Sequence, residues 1–344
     1  LMLTLGMVSV ASAEFAPVNK DDLKVGFVFI GDVSDKGYTY AHYQGLLDMQ
    51  QNLGLSDDQI LIKTNVSEDS SCETALRELV EAGCQIIFGN SYGYMNYMAE
   101  LADEYPEVIF SHCSGYMSND TNFNNYFGAI YQARYLAGIA AGLKTQTNKI
   151  GFVAAMQTPE VIGGFDAFAL GVQSVNPDAV VYVKYTNSWY DATLERQTAD
   201  ALLDLGCDVI GQHCDTANPQ IAAQERGVWG CGYNADMTVD APKAHLTAPV
   251  WHWGAVYTKE AQEVLDGTWK PEKIFLTMAD GLVDLSPLSE NCAEGTAEAI
   301  EAARAKIVSG EFDVFEGPLD LRRRLLLTGP ETRPVVEVVG KAAA

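Results

Sequence analysis

The stretch from Leu76 to Tyr94, LRELVEAGCQIIFGNSYGY, decides the fold class, because it joins a helix to a buried strand and then to a polar loop. Its apolar residues first recur at helical spacing and then run together in QIIF, which is typical of a strand buried on both faces of a parallel sheet. The same order returns from Ala199 to Ala217, ADALLDLGCDVIGQHCDTA, again with Gly-Cys at the junction. Two copies of one helix-strand unit predict an α/β protein with two Rossmann-like lobes.

The pattern continues on both sides of these two stretches. Apolar runs predict strands at 24–30, 60–65, 85–89, 108–113, 149–154, 180–185, 208–212 and 228–232. Helical spacing predicts helices at 40–53, 70–82, 92–104, 134–144, 164–175, 192–205 and 218–226. Short returning strands are expected at 248–250 and 274–277. We therefore expect lobe one at 23–127 plus 250–281 and lobe two at 128–247 plus 282–317, joined by three crossovers.

The amino-acid composition of the chain excludes some classes of binding partner. The 344 residues include 46 acidic and 22 basic side chains, which gives a formal charge of −24. Such a chain repels phosphate backbones, so nucleic acid is excluded as an expected partner. A hydrophobic content of 48% and a mean hydropathy of −0.02 are those of a folded globular protein rather than a disordered one.

The two ends of the chain differ from the rest. Residues 1–13 are apolar and end in Ala-Ser-Ala, which predicts a front-truncated signal peptide, with a buried helix or strand as the alternative. No cysteine follows, so we expect a secreted, periplasmic or extracellular protein without a lipid anchor. We assign no role to the tail at 318–344. Seven cysteines without C-x-x-C predict no metal site, and their pairing cannot be read from spacing.

Aromatic and polar residues gather in the loops that follow the predicted strands. Ligands of open parallel sheets bind beyond the carboxyl ends of the strands, so these loops are candidate rims of a cleft between the lobes. Rings beside carboxylates and amides suit a flat heteroaromatic ligand, although a single rim aromatic is more often packing. The candidate ligand-binding residues are Asp35, Tyr38, Tyr40, Ser91, Tyr92, Gly93, Trp189, Asp215, Asn234, Asp236 and Trp253.

Two roles follow within this set. Tyr38 and Trp189, one from each lobe, are expected to sandwich the ligand ring. Asp215 is the expected acceptor for an amine or ring N–H, because it follows the buried strand at 208–212, with Ser91 and the backbone at 92–93 opposite it. The alternative is that Asp215 only caps the helix that begins near Asn218.

Signals of catalysis are absent from the sequence. The five histidines lie in five segments, and neither G-x-S-x-G nor H-E-x-x-H occurs. His213 and Asp215 could form an acid-base pair, but a hydrogen-bonded histidine at a strand end is the plainer interpretation. The loop at 31–40 lacks the glycine patterns that bind nucleotide phosphates. We expect a protein that is not an enzyme and needs no cofactor.

Several segments together resemble the basic membrane protein family, the purine-nucleoside-receptor-like substrate-binding proteins of ABC transporters. They are KVGFVFIGDVSDKGYTYAHYQG, IIFGNSYGYM, YQARYLAGIAAGLKT, QTPEVIGG with LGVQSVNP, and GYNADM, within about 24–318. The resemblance implies a type I periplasmic-binding-protein fold, a monomer, and delivery of a captured ligand to an ABC permease.

The resemblance also implies roles for residues. Nucleoside-binding members read the base with Asp-x-x-Phe-Asn, and here Asp35 and Tyr38 remain while Thr39 replaces the Asn. Their ribose is held by an Asp, matched by Asp236, and by a Lys in a crossing strand, which here reads LTAPVWHWG and has none. This implies a purine base, adenine or similar, rather than a nucleoside. A ligand-sensing receptor and, less favoured, a purine-processing enzyme remain as alternatives.

Overall fold

The computed structural model describes residues 15–315 and 336–338. Within them the chain forms two compact units. The first unit comprises 15–32, 45–127 and 254–275, and the second comprises 33–44, 128–253, 276–315 and 336–338. The predicted signal peptide and, except for 336–338, the tail lie outside the described residues.

Strands and helices alternate along most of this length. In chain order the strands are β1 (Val25–Val28), β2 (Ile60–Lys63), β3 (Ile86–Gly89), β4 (Ile109–Cys113), β5 (Phe123–Gly128), β6 (Lys149–Ala154), β7 (Val180–Tyr185), β8 (Val209–His213), β9 (Trp229–Cys231), β10 (His245–Thr247), β11 (Pro249–Trp251), β12 (Lys273–Leu276), β13 (Val283–Leu285) and β14 (Val336–Val338). The helices are α1 (Tyr38–Leu53), α2 (Ser70–Glu81), α3 (Met95–Glu104), α4 (Ile130–Lys144), α5 (Pro159–Val175), α6 (Ala192–Asp204), α7 (Asn218–Glu225), α8 (Gly254–Asp266) and α9 (Thr296–Val308).

A six-stranded sheet organises the first unit, in the order β12-β5-β4-β3-β1-β2. The pairs from β2 to β5 are parallel, and Val25 of β1 lies between Ile60 and Ile86. Every residue of β1, β3 and β4 is buried, as the continuous apolar runs predict. Side chains of α2 and α3, among them Leu79 and Met98, cover one face.

A second sheet organises the second unit, in the order β10-β9-β8-β6-β7-β14, and β11 and β13 form a separate antiparallel pair. Helices α4 and α5 approach each other through glycine. A Cβ on Gly138 would lie 2.0 Å from the Phe168 carbonyl oxygen, and one on Gly171 would lie 1.9 Å from that of Tyr135. The small residues of YLAGIAAG therefore permit a backbone contact that no larger side chain allows.

The predicted α/β class with two parallel sheets is confirmed, and each predicted apolar run overlaps a strand. The chain passes between the units after residues 32, 44, 127, 253 and 275. The sequence predicts 33–44 in lobe one, whereas the structure groups them with the second unit, because Gly37 packs against the Asp215 backbone. The other predicted lobe bounds stay a prediction.

Two further properties concern the described residues as a whole. All seven cysteines are free thiols, and six of them are buried. Within the parts of the chain that the structure describes, no helix combines the length and the apolar character that a membrane span requires.

Candidate functional site

The loop after β1 is built around Asp35. Its Oδ1 accepts the backbone N–H of Gly37 at 2.8 Å and of Tyr40 at 2.9 Å, and its Oδ2 accepts that of Thr39 at 3.0 Å. The carboxylate thus caps the amino end of α1. Burial raises the pKa of Asp35, while the three backbone hydrogen bonds act to lower it. Both oxygens of the carboxyl are occupied by the protein itself.

Gly37 brings this loop against the loop that follows β8. A Cβ at position 37 would lie 1.9 Å from the Asp215 carbonyl oxygen. No real side chain tolerates that distance, so only glycine permits the approach. The predicted residues Asp35 and Tyr38 are therefore held beside Asp215, within the second unit.

Asp215 has acceptor capacity that the protein does not use. Its Oδ1 accepts the Asn234 side-chain amide at 3.0 Å, and its Oδ2 has no donor among the described residues. Burial, followed by the charges of Asp35 and Glu195, holds the pKa of Asp215 well above its ordinary value. The capping alternative is wrong, because Thr216 Oγ1 accepts the Asn218 N–H at 3.1 Å in its place.

A further carboxylate behind Asp215 is fully satisfied. Glu195, which is buried, accepts the Thr216 backbone N–H at 3.1 Å and its hydroxyl at 2.7 Å through one oxygen. The other oxygen accepts the Asp191 N–H at 3.2 Å. Burial raises the pKa of Glu195. The second unit thus gathers three acidic side chains around one oxygen without a protein donor, which favours a neutral or cationic ligand with N–H donors.

An aromatic column leads away from this loop. The ring centroid of Tyr38 lies 4.4 Å from that of His42, edge to face, and His42 stacks on Trp253 at 4.5 Å and 8°. Trp253 stacks in turn on Trp251 at 4.4 Å and 15°, and Trp251 Nε1 donates to the Tyr233 hydroxyl at 3.3 Å. Both faces of Trp253 are covered, so the partly exposed Tyr38 ends the column.

A buried guanidinium lies at the other end of the column. The Arg134 Cζ atom is 3.7 Å from the ring centroid of Tyr233 and 5.6 Å from that of Phe152. Nη1 of Arg134 donates to the Gln212 carbonyl, just before the loop of Asp215. Burial lowers the pKa of Arg134.

Trp189 and His213 occupy the same side of the second unit. The ring centroids of these two residues are 6.3 Å apart, and that of His213 is 4.7 Å from that of Tyr233. The Nε2 atom of His213 lies 3.3 Å from Glu160 Oε1. Burial lowers the pKa of His213, so the imidazole is neutral near pH 7. Its partner is Glu160 rather than Asp215, and the structure offers no acid-base pair between His213 and Asp215.

Two other predicted residues have local partners. The Oδ1 atom of Asp236 accepts the Thr238 backbone N–H at 2.9 Å and the Thr238 hydroxyl at 2.5 Å, and its side chain is exposed. It also lies 3.4 Å from Nε2 of the buried His245. Tyr40 is half-buried, and its backbone N–H belongs to the cap formed by Asp35.

The remaining predicted residues, Ser91, Tyr92 and Gly93, belong to the first unit. The Ser91 hydroxyl and the Gly93 N–H both donate to Glu68 Oε1, at 2.6 and 2.7 Å. The Tyr92 ring is exposed. These donors are therefore engaged by an acidic side chain of their own unit. The predicted site residues that lie in the second unit are Asp35, Tyr38, Tyr40, Trp189, Asp215, Asn234, Asp236 and Trp253.

Several residues of this region escape sequence reasoning. His42 follows Tyr38 by four positions on α1, a spacing that places both on one helix face. Arg134 is the one charged residue in the interior of an apolar helix whose other cation, Lys144, is its last residue, which is a signal for a buried charge. Glu68 carries no such signal. Among the residues that the structure describes, no group of His, Cys, Asp and Glu could hold a metal ion.

The sequence profile of one family, described as ABC transporter substrate-binding protein PnrA-like (Bmp), matches residues 22–316. The chain belongs to the Bmp family. This Bmp protein is 37% identical over 300 residues to the purine-binding protein of Brucella abortus, covering 87% of this chain and 85% of that one. It is 33% identical over 301 residues to a Haloferax volcanii protein named as an ABC transporter glucose-binding protein, covering 88% and 76%.

A solved structure supports the fold of this Bmp protein. The ABC transporter solute-binding protein of Aeropyrum pernix superposes with a TM-score of 0.74 at 19% identity, covering 88% of this chain and 96% of that one. The predicted type I fold is confirmed. The predicted family is confirmed as well.

Proposed function

We propose that this Bmp protein is an extracytoplasmic solute-binding protein that captures a purine, with the free base preferred over the nucleoside, and delivers it to an ABC permease. The observation that carries the proposal is the unpaired Asp215 oxygen beside the exposed end of an aromatic column. A purine offers a flat π-face to Tyr38 and N–H donors to Asp215. The Brucella relative, which is named as purine-binding, supports the same ligand class.

The preference for a base rests on two tryptophans. Trp251 and Trp253 stand in the segment where the family resemblance predicts a ribose-binding lysine, and both are buried and stacked on each other. Indole rings supply no cation for the ribose hydroxyls. Thr39 replaces the expected amide, and its N–H is committed to Asp35. Asp236 is occupied by Thr238 in a local turn.

Charge supports a ligand without phosphate. Asp35, Asp215 and Glu195 raise the local negative potential. The buried Arg134 is inaccessible from solvent, so its guanidinium cannot receive an anionic group of a ligand. A nucleotide would be repelled, whereas adenine brings an exocyclic amine and a ring N–H.

Direct identification of the ligand tests the proposal. Freshly purified protein is denatured and the released small molecules are identified by mass spectrometry, and the refolded protein is titrated calorimetrically with adenine, adenosine and glucose. We expect adenine to bind about tenfold or more tightly than adenosine, a difference of about 1.4 kcal/mol. Binding of glucose alone would overturn the purine proposal and favour the activity named for the Haloferax relative. Tighter binding of adenosine would overturn only the base preference.

Transfer to a permease and a monomeric state complete the proposal. Both are properties that the family resemblance implies for a binding protein of this fold. Sedimentation with and without adenine checks the monomer, and a sensor kinase captured in place of a permease by the adenine-bound protein would favour the receptor alternative.

A further inference from the structure

Arg134 is the one fully buried cationic side chain among the described residues, with 1% of its surface exposed. No carboxylate of the described residues lies within ion-pair distance of it. Removing a cation from water without an adjacent anion is costly. A residue retained at such a cost calls for a role beyond filling space in α4.

The contacts of Arg134 reach two segments that carry site residues. Its Nη1 donates to the backbone carbonyl of Gln212, at the end of β8. Its guanidinium plane lies over the Tyr233 ring, with Cζ 3.7 Å from the centroid. A planar guanidinium can stack and donate at the same time, which an ammonium group does less well.

The first segment runs from Gln212 to Asp215. The side chain of Gln212 donates to the carbonyls of Cys214 at 3.0 Å and Thr216 at 2.7 Å, on either side of Asp215. The hydrogen bond from Arg134 to the Gln212 carbonyl fixes the start of this loop. The Gln212 side chain then stabilises the shape of the loop around Asp215.

The second segment begins at Tyr233. The side chain of the next residue, Asn234, donates to Asp215 at 3.0 Å. The Tyr233 hydroxyl accepts the indole N–H of Trp251 at 3.3 Å. Asn234 adopts a left-handed backbone conformation, with φ of 68°, which few residues adopt without support. A shift of the Tyr233 ring would therefore move both the partner of Asp215 and the base of the aromatic column.

We propose that Arg134 is a positioning residue for ligand binding: its buried guanidinium joins the Gln212 and Tyr233 segments and so fixes Asp215 and the aromatic column without touching the ligand. For its affinity readout, this inference rests on the proposed purine binding. Its structural readout, the packing of the two stacked tryptophans, does not depend on any ligand.

The experiment compares three variants. Arg134→Met removes the charge and the donor at similar length, and Arg134→Lys keeps the charge but loses the planar fork. Asp208→Asn is the matched control, because Asp208 is also buried, lies beside the amino end of β8, and its side chain accepts only from Thr145, Gln146 and Thr147. All three are expected to lower the melting temperature.

Adenine titration should separate them. We expect Arg134→Met to bind adenine about tenfold or more weakly, Arg134→Lys to lie between it and wild type, and Asp208→Asn to stay within about twofold. Near-ultraviolet circular dichroism of the ligand-free proteins should change for both Arg134 variants and not for the control, because Trp251 and Trp253 are close enough to couple.

Other outcomes are decisive in the opposite direction. Unchanged affinity in Arg134→Met, or an equal loss in Asp208→Asn, would overturn the positioning role. If the wild type binds no purine, the proposed function fails, and the ligand-free dichroism alone decides on Arg134: an unchanged aromatic signal overturns the inference and a changed one supports it. If Arg134→Met does not fold, the Arg134→Lys variant is held to the same two readouts.

Discussion

Each unit contains a largely enclosed carboxylate, and the two differ in how far the protein satisfies them. In the first unit, Glu260 is fully buried and accepts from the Ser111 hydroxyl at 2.7 Å, the Asn124 amide at 3.0 Å and the Trp269 indole at 3.0 Å. In the second unit, Asp215 accepts from Asn234 alone and remains partly exposed.

The difference separates a structural acid from the acid that we propose to bind the ligand. Three side-chain donors use both oxygens of Glu260, so nothing is left for a ligand. Asp215 keeps one oxygen without a donor among the described residues, and once a ligand covers this partly exposed oxygen, a hydrogen bond left unmade there costs about 1–3 kcal/mol. A ligand that supplies the missing donor recovers that energy. The number of satisfied acceptor sites, rather than burial alone, indicates which acid binds.

The largest effect is expected for Asp215→Asn. The amide can still accept from Asn234, but it presents an NH₂ group where the free oxygen was, toward the N–H donors of the ligand. We expect the affinity for adenine, measured by calorimetry, to fall about tenfold or more. The melting temperature should stay unchanged or rise, because Asp215 caps no helix and its ionised form is disfavoured by burial.

Glu260→Gln is the control for that prediction and should behave in the opposite way. Its amide oxygen can still accept from Asn124 and Trp269, but its NH₂ group takes the place of the acceptor of the Ser111 hydroxyl, so the protein should be less stable, while adenine affinity stays within about twofold of wild type. A loss of affinity in Glu260→Gln comparable to that in Asp215→Asn would show that the distinction between the two acids is wrong.

Stacking on the second unit is expected to contribute an effect of similar size but with a lower minimum. Tyr38 and Trp189 both belong to this unit, rather than to one lobe each as the sequence predicts. Base stacking on an aromatic ring is worth about 1–3 kcal/mol, so replacing either residue by Ala should weaken adenine binding about 5- to 150-fold. Tyr116→Ala, on an exposed ring of the first unit that is not a candidate site residue, is the matched control. Full affinity in both the Tyr38 and Trp189 variants would remove these rings from the site.

The pH dependence of stability should come from the first unit. Burial raises the pKa of Glu260 to about 7, above the value of about 4.3 for an unfolded glutamate. The neutral form is therefore favoured in the folded state, and its contribution is present below pH 4.3 and is lost as the pH rises to 7. The melting temperature of wild type relative to Glu260→Gln should fall by a few degrees between about pH 5 and 7. A constant difference across this range would refute the assignment.

The smallest effect is expected for a change at Glu68, an acidic side chain of the first unit. Glu68 accepts from Ser91 and Gly93 at its surface. Glu68→Gln keeps the shape but weakens two charge-assisted hydrogen bonds, and because Glu68 is exposed, we expect the melting temperature to fall by only a degree or two. If Ser91 and Gly93 also bind the ligand, adenine affinity should rise in this variant, since the competing acceptor is weaker. No change in affinity would assign these donors to the loop alone.

Much of the fold could be predicted because the buried strands of a parallel sheet are read directly from apolar runs. Strand β5, with the sequence FNNYFG, could not be predicted in this way because its apolar run is interrupted by two asparagines. Its Asn124 and Asn125 are buried, and their amides donate to Glu260 and to the Met117 carbonyl. Periodicity records polarity and not hydrogen-bond partners, so a strand whose polar residues are satisfied by distant side chains looks like a loop.

The candidate site was predictable in composition and not in detail. Loops after strands hold Asp35, Tyr38 and Asp215, as the topology of parallel sheets requires. Which acid is free depends on hydrogen bonds between segments far apart in sequence, such as Asn234 to Asp215. Arg134 contacts Tyr233 across a much longer separation in sequence. These are tertiary contacts, and no local sequence pattern records them.

Gly37 gives a criterion for reading related sequences. Because a Cβ there would meet the Asp215 carbonyl at 1.9 Å, a homologue with any other residue at this position must part the two loops or abandon the arrangement. A glycine at position 37 together with an acid at position 215 is a two-residue signature, and it sorts Bmp sequences by whether they can assemble this rim before any ligand is considered.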